Sequence, residues 1–352
     1  MLALAGYPLS IRCRHIGGPD DTSAREVADY VVAPQGDADA LVKFARSVDV
    51  VTYESENVPV EAAEQIAQHA RIYPSARVLR VSQDRLFEKQ FFASHHIATA
   101  PFARIDSRAD LDAAIERIGL PAVLKTRRLG YDGKGQAVIR SREDADAAWK
   151  QHGSVPLILE GFVRFEREVS IIAVRSPSGD TRFYPIVENH HEAGILRLSL
   201  APAPQLTPAL QHKAEALAAT VLEQLDYVGV LAIELFQCGD ALLANEMAPR
   251  VHNSGHWTIE GAVTSQFENH LRAILDLPLG NTDAIGHAAM INLIGSIPTL
   301  PDMLRFGDTH VHLYGKTPRP GRKVGHITVL NEDAGKLRKR VEEIRAGLAL
   351  QD

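Results

Sequence analysis

Two glutamates set into otherwise apolar segments are the first residues whose chemistry stands out. Glu234 interrupts the apolar run 228–236, and Asn245-Glu246 interrupts the run 241–247, with Cys238-Gly239-Asp240 as the turn between them. Buried carboxylates with no lysine or arginine close by in the chain are costly unless a cation pairs them. An odd number of turn residues would put Glu234 and Glu246 on one face of a hairpin, at diagonal positions about 7–8 Å apart. Oxygen ligands at that spacing suit one or two magnesium ions bridging the phosphates of ATP. The competing reading is a half-exposed hairpin with one glutamate facing water. The nearly all-apolar strands favour the metal.

Groups suited to anions surround this pair. Gly130-Tyr131-Asp132-Gly133-Lys134-Gly135-Gln136 places three glycines in seven residues between strands expected at 122–126 and 137–140. Backbone N–H groups of such a loop can wrap a polyphosphate. No Gly-Lys-Ser/Thr leads into a helix, so it is not a P-loop, and on its own it reads as a mobile hairpin tip. Lys125 shifts the balance, because it occupies an apolar strand and so points at an anion. Ala248-Pro249-Arg250-Val251-His252-Asn253-Ser254-Gly255-His256-Trp257 directly follows the second glutamate strand, so Arg250, His252 and Asn253 line the same cavity. His252 and His256 have the i, i+4 spacing of a helical zinc pair, but Pro249, Ser254 and Gly255 oppose a helix there. Lys316 and Pro320-Gly321-Arg322-Lys323-Val324-Gly325-His326 offer a phosphate-binding turn or, equally, a solvated basic loop.

The elements that must hold these groups follow from patterning. Residues 1–78 alternate short units, with strands at 9–14 and 49–53 and helices at 38–46 and 61–70, a parallel α/β pattern. The apolar start, Met1 to Tyr7, lacks a basic leader and cleavage site and reads as the tail of a buried helix. Ser107 with Asp110 marks a capping box ahead of Leu111, Ala114, Ile115 and Ile118, and Gly119 ends that helix. A second capped helix begins at Ser141. Thr207-Pro208 opens a helix to about 226. Another spans about 265–275, short strands fill 288–332, and a charged amphipathic helix covers 332–350. The expected fold is α/β and α+β, divided as 1–83, 84–285 with a lid at about 120–187, and 286–352.

The totals exclude several classes. A chain of 352 residues allows two or three packed units, at about 100–200 residues each. A net charge of −6 gives no general attraction to nucleic acid or anionic lipid, so an anionic ligand needs a local basic cluster. The two cysteines, Cys13 and Cys238, form no paired spacing, which fits a reducing, cytoplasmic setting rather than a disulfide or cysteine–zinc scaffold. No apolar run reaches the ~18 residues of a membrane span.

In this order along the chain, the residues resemble the ATP-grasp superfamily, and within it the N5-carboxyaminoimidazole ribonucleotide synthetases of purine biosynthesis. The resemblance rests on Tyr53-Glu54-Ser55-Glu56-Asn57-Val58, on Asp84-Arg85 with Glu88-Lys89-Gln90, on the glycine loop, on the stretch from Asn245 to His256, and on Gly321 to His326. It implies an ATP-grasp fold: a Rossmann-like N-terminal domain, a central lid and a C-terminal domain that completes the cleft. It also implies magnesium-dependent ligation of bicarbonate to 5-aminoimidazole ribonucleotide through carboxyphosphate, with ATP cleaved to ADP and phosphate. By position, Arg85, Lys125 and the loop from Gly130 to Gln136 would hold ATP phosphates. Glu160, Gly161, Phe162 and Val163 would read adenine, Glu168 the ribose, and His191 and Asn245 would lie at the nucleotide. Glu234 and Glu246 would hold magnesium, while Arg250, His252 and Asn253 face bicarbonate and the intermediate. Lys316, Arg322 and Lys323 would bind the ribonucleotide phosphate, with Tyr131, Asp132 and Glu54 near its ring and ribose. A homodimer and small-molecule partners, without nucleic acid or membrane, are implied as well.

Members of the resembled family open with a strand and a Gly-Gly-Gly-Gln-Leu-Gly-Arg-like turn, and Met1-Leu2-Ala3-Leu4 is similar to the helix after it. The expectation is weaker ribonucleotide binding and a less stable first sheet, with the ATP half unaffected. Two alternatives stand beside the main reading: another ATP-grasp carboxylate–amine ligase, or a nucleotide-binding form with impaired activity.

Overall fold

Glu234 and Glu246 lie on the two strands at one edge of a large antiparallel sheet. The computed structural model describes residues 1–19, 23–34, 36–130 and 133–350, and among these the sheet has nine strands. Its order is Ala241–Ala248, Gly229–Cys238, Arg167–Arg175, Val187–Glu192, Ile195–Ala201, His287–Ile294, Lys323–Asn331 and Thr309–Leu313, with Thr181–Phe183 added beside Arg167–Arg175. The inner strands Gly229–Cys238 and His287–Ile294 are mostly apolar because both faces are covered, whereas the inner strand Val187–Glu192 is polar. Leu231, Ile233 and Leu235 pack in one cluster with the helix Pro208–Gln224. Val230 and Ala232 pack on the other side with Phe267 and Leu271 of the helix Gln266–Ile274. Glu234 has the parity of Val230 and Ala232, so it points to this second face.

The turn between the glutamate strands is two residues, Gly239-Asp240, since Cys238 pairs with Ala241. That corrects the odd turn expected from sequence. With an even turn, a regular ladder would send Glu234 and Glu246 to opposite faces. A bulge restores the shared face. Pairing steps from Leu235↔Ala244 to Glu234↔Glu246, which leaves Asn245 as the extra residue. The glutamates are therefore directly opposite rather than diagonal.

A second, four-stranded antiparallel sheet is ordered Phe102–Ile105, Leu157–Gly161, Ala122–Thr126, Gln136–Ile139. Helices Arg108–Ile118 and Arg142–His152 cover it, burying Leu111, Ala114, Ala145 and Ala148. Ser141 and Asp144 form a full capping box. Ser107 also caps its helix, but the Asp110 carboxylate accepts from Asp106 N–H. This unit starts and ends earlier than the 120–187 lid expected from sequence. Arg167–Arg175 belongs to the large sheet, where it pairs with Gly229–Cys238 and is buried on both faces.

Within the first 83 residues, two parallel pairs form, Arg14–Gly17 with Asp29–Val32 and Val50–Val51 with Arg71–Ile72. Helices Ala38–Ala45 and Val60–Ala67 pack on Val51 and Ile72. The strand expected at 9–14 begins only at Arg14, because Tyr7–Leu9 is a 3-10 turn closed by Ser10 in the left-handed region. At the other end, Ala334–Gly347 covers the far part of the large sheet through Leu337, Val341 and Ile344. No helix among the described residues is long and apolar enough to cross a membrane.

Candidate active site

The bulged hairpin gathers charge of both signs. Arg85, at the start of the helix Arg85–Ser94, donates from Nη1 to Glu246 Oε2 at 2.6 Å and from Nη2 to Gly130 O at 3.3 Å. Glu234 Oε1 lies 3.3 Å from His252 Nε2. Burial and the facing Glu246 push the Glu234 carboxyl up. Burial acts on Glu246 in the same direction, but Arg85 outweighs it and holds that carboxyl low. Next to Glu246, Asn245 Oδ1 is buried without a hydrogen-bond partner. An orphaned amide oxygen with two facing carboxylates is the oxygen-only donor set that a hard divalent cation takes, so these residues fit magnesium. Glu168 and His191 reach the same place, with Oε2 to Nδ1 at 3.0 Å. One ligand atom each from Glu168, His191 and Glu234 lies within 4.8 Å of the others. Burial alone would lower the His191 pKa, but the Glu168 and Glu234 carboxylates raise it.

Lys125 comes from the smaller sheet and donates from Nζ to Glu160 Oε2 at 3.0 Å. Burial favours the neutral form of Glu160, yet Lys125 and Lys89 keep its pKa below the ordinary value. Gly161 and Phe162 tie this strand end to Pro101 O and Pro121 O through their N–H groups, at 2.8 and 3.1 Å. Phe162 is exposed and Val163 half-buried. Lys125 pairs in register with Gln136, and Gly133-Lys134-Gly135 make the turn before it. Gly135 has φ +72°, and a Cβ there would meet Thr126 Oγ1 at 2.6 Å, so only glycine fits. Gly133 approaches the Ala193 carbonyl beyond His191, where a Cβ would sit at 3.0 Å. Tyr131 and Asp132 lie outside the described residues.

The segment after the hairpin is held by groups that sequence reasoning missed. Gln266 is fully buried; its Oε1 accepts from His252 N–H at 3.0 Å, and its Nε2 reaches His252 O at 2.7 Å and His256 Nδ1 at 3.2 Å. Asn253 and Asn292 form a reciprocal amide pair, at 3.0 and 2.6 Å. His252 Nδ1 meets Ser254 Oγ at 2.9 Å. Burial, with the charges of Arg250 and Lys323, pushes His252 down to about 3, so its imidazole is neutral at neutral pH. Asn253–Gly255 is a 3-10 turn, and His256 belongs to no metal-binding cluster among the described residues.

Arg250 donates from Nε to Glu56, the residue of the 53–58 stretch that reaches the site, whereas Glu54 is exposed. Burial opposes ionisation of Glu56, but Arg250 holds its carboxyl below the ordinary glutamate value. A depressed folded pKa means that the pair stabilises above the ordinary glutamate value and is lost as pH falls through the folded one. Glu56→Gln is therefore expected to lower the melting temperature at neutral pH. The gap to the unaltered protein should close in acid, as thermal scans at descending pH would show.

The basic turn leads into the strand Lys323–Asn331 of the large sheet. Lys316 Nζ sits 5.5 Å from the centre of the Tyr314 ring, and Tyr314 OH bonds His326 Nδ1 at 2.7 Å. Arg322 donates from Nη1 to Thr317 O at 3.2 Å. The Lys323 charge favours ionised Glu234 and neutral His252, so Lys323 lies near the acidic cluster.

A lysine and a glycine turn from one sheet, set against paired carboxylates from another, make the ATP-grasp arrangement, and the ATP-grasp domain model matches residues 90–267. The ribonucleotide synthetase preATP-grasp domain matches 1–83, and the phosphoribosylaminoimidazole carboxylase C-terminal domain matches 288–340. The N5-carboxyaminoimidazole ribonucleotide synthase of Pseudomonas aeruginosa is 51% identical over 346 residues, covering 98% of this chain and 95% of that protein. The crystal structure of N5-carboxyaminoimidazole ribonucleotide synthetase from Thermus thermophilus superposes with a TM-score of 0.93 at 54% identity, covering 99% and 94% of the two chains. The Aspergillus clavatus enzyme, solved with ADP and 5-aminoimidazole ribonucleotide, gives a TM-score of 0.90 at 29% identity, covering 99% and 95%. The chain belongs to the N5-carboxyaminoimidazole ribonucleotide synthetase family.

Proposed function

We propose that this protein joins bicarbonate to the exocyclic amine of 5-aminoimidazole ribonucleotide, giving N5-carboxyaminoimidazole ribonucleotide, ADP and phosphate in purine biosynthesis. The supporting observation is the Asn245 bulge, which sets Glu234 opposite Glu246 within reach of Arg85, in a chain of this family. Bound magnesium, held by Glu234 and Glu246 with Asn245 Oδ1 beside them, would neutralise charge on the ATP phosphates. Arg85, Lys125 and the loop 130–136 bind those phosphates. Glu160, Gly161, Phe162 and Val163 take adenine, and Glu168 and His191 the ribose side. Lys316, Arg322 and Lys323 bind the ribonucleotide phosphate.

Bicarbonate is a poor electrophile, so one of its oxygens first attacks the γ-phosphorus, displacing ADP and forming carboxyphosphate. Lys125 and Arg85 counter the charge that builds there, which is most of what phosphoryl transfer asks of a protein. Arg250 and Asn253 hold the bicarbonate, and neutral His252 adds no competing charge. Carboxyphosphate breaks to CO₂ and phosphate in a site closed against water. The amine captures CO₂, and its proton passes to the newly freed phosphate, the strongest base in the cavity. The reading carries with it the division 1–83, 84–285 and 286–352, a homodimer and a cytoplasmic location.

ADP release is the test, measured with bicarbonate and the ribonucleotide omitted in turn, together with ¹³C-bicarbonate labelling of the product. Full turnover is expected only with both, with the label in the new carbamate. ADP release indifferent to both omissions, or an unlabelled product, overturns the proposal.

A further inference from the structure

Glu88 and Lys89 are the most deeply buried carboxyl and amino side chains beside the site, at 2% and 1% exposure, and the reaction described above uses neither. Both project from the helix Arg85–Ser94 onto the backbone of the bulged edge strand. Glu88 Oε1 accepts from Met247 N–H at 2.7 Å. Lys89 Nζ donates to Asn245 O at 2.7 Å and to Ala244 O at 3.2 Å. Its remaining ion pair is with Glu160 Oε2 at 3.4 Å, the carboxylate that also takes Lys125. The ammonium thus meets three oxygens, two on the large sheet and one on the smaller sheet.

These contacts fall where the ladder is broken. A bulge leaves one residue's backbone groups outside the regular pairing, and here that residue is Asn245. Lys89 and Glu88 pin the backbone on either side of it, at Ala244, Asn245 and Met247. Without those bonds the strand can straighten into regular pairing, which by parity turns Glu246 away from Glu234. A buried ammonium is retained at a desolvation cost that an apolar residue of similar volume would not incur. That cost is unexplained by packing alone.

The geometry points to Lys89 and Glu88 as positioning residues: a buried clamp that fixes the Asn245 bulge and thereby the metal-binding geometry of Glu246, while Lys89 ties that strand to Glu160 and so to Lys125. The inference rests on the proposed reading of Glu234 and Glu246 as metal ligands. Groups that orient metal ligands without touching the ion typically contribute about 10–100-fold in metal affinity. The clamp should therefore show in metal binding itself, and only weakly at the ribonucleotide.

The test is Mn²⁺ binding to the ADP-saturated protein, followed by electron paramagnetic resonance, with the Kd for 5-aminoimidazole ribonucleotide measured alongside. Lys89→Met is expected to weaken Mn²⁺ at least tenfold and the ribonucleotide less than twofold. Should Lys89→Met not fold, Glu88→Leu is judged by the same two numbers, and Glu88→Gln, which keeps a carbonyl for Met247 N–H, should recover Mn²⁺ affinity relative to it. Native Mn²⁺ affinity in a folded Lys89→Met or Glu88→Leu protein overturns the clamp, as does equal weakening of both ligands. Glu246→Gln separates the two levels. Mn²⁺ retained there removes the metal reading, whereas Mn²⁺ lost there but kept in Lys89→Met removes only the clamp.

Discussion

Glu246→Gln is expected to reduce ADP formation by on the order of 10³-fold while the protein stays folded. The substitution preserves side-chain volume and leaves a carbonyl oxygen to accept from Arg85, as the native Oε2 does at 2.6 Å. What disappears is one of two negative charges placed directly opposite each other by the bulge. Hard divalent cations draw their affinity from ligand charge and count. Losing one carboxylate of two therefore weakens the ion that offsets charge on the transferred phosphoryl group. That offset contributes several kcal/mol at the transition state, and each ~1.4 kcal/mol is a factor of ten in rate. Folding should tolerate the change, because the Glu246 side chain is 39% exposed and its neighbours Ala244 and Met247 remain in the core. Steady-state ADP release and thermal melting followed by circular dichroism measure the two sides. Native turnover in a folded Glu246→Gln protein would remove the metal assignment.

The same hairpin marks how far residue patterning reaches. Apolar runs broken by Glu234 and by Asn245-Glu246 located both strands and both carboxylates, because strands otherwise nearly all apolar have few other reasons to hold a carboxylate. The pairing was not legible. A two-residue turn and a one-residue bulge combine to give the face that a three-residue turn alone would have given, and nothing local in Ala244-Asn245-Glu246 distinguishes the two. The contacts at the bulge come from far away in the chain: Lys89, 155 residues earlier in the sequence, donates to Ala244 O, and Ala98 O accepts from Ala244 N–H. Contacts of that range are tertiary, and a periodicity argument cannot see them. Residues 167–175 read as another short strand of the small unit, and it is their ladder to Gly229–Cys238, a pairing distant in sequence, that places them in the large sheet.

The supporting residues were harder to find than those proposed to act on bicarbonate. Arg250, His252 and Asn253 announce themselves by type, following directly on the strand proposed to hold magnesium. Gln266 and Asn292, which hold His252 and Asn253, are single amides in a helix and a strand with no signal of their own. A buried glutamine at the first turn of an amphipathic helix was the available hint, since such a side chain must find polar partners. Glu56 was visible within the 53–58 stretch but could not be told from Glu54 without knowing which of them faces Arg250.

Gly255→Ala is expected to cost about 2–5 kcal/mol of stability and most of the turnover, through the space around Gln266 rather than through the backbone. Gly255 does not adopt a left-handed φ, so alanine meets no conformational barrier there. Its Cβ, however, would lie 2.3 Å from Ile172 Cδ1 and 2.6 Å from Gln266 Cδ and Oε1. Both neighbours are fully buried. Overpacking a filled core costs roughly 1–3 kcal/mol. If Gln266 is displaced, His252 N–H and C=O lose their partners, and stranded buried polar groups cost about 1–3 kcal/mol each. Together these are a large part of a folding margin of about 5–15 kcal/mol. The carbonyl and amide that Gln266 holds belong to His252, so the Arg250–Asn253 wall should move with it and carry turnover down. Ile172→Val separates the two neighbours, because it removes Cδ1 and nothing else. The pair Gly255→Ala with Ile172→Val should regain part of the lost melting temperature but little of the lost activity, since the clash with Gln266 remains. Full recovery of turnover in the double variant would mean that Gln266 does not position the site, and a native melting temperature in Gly255→Ala alone would mean that the close packing around Gly255 carries no weight.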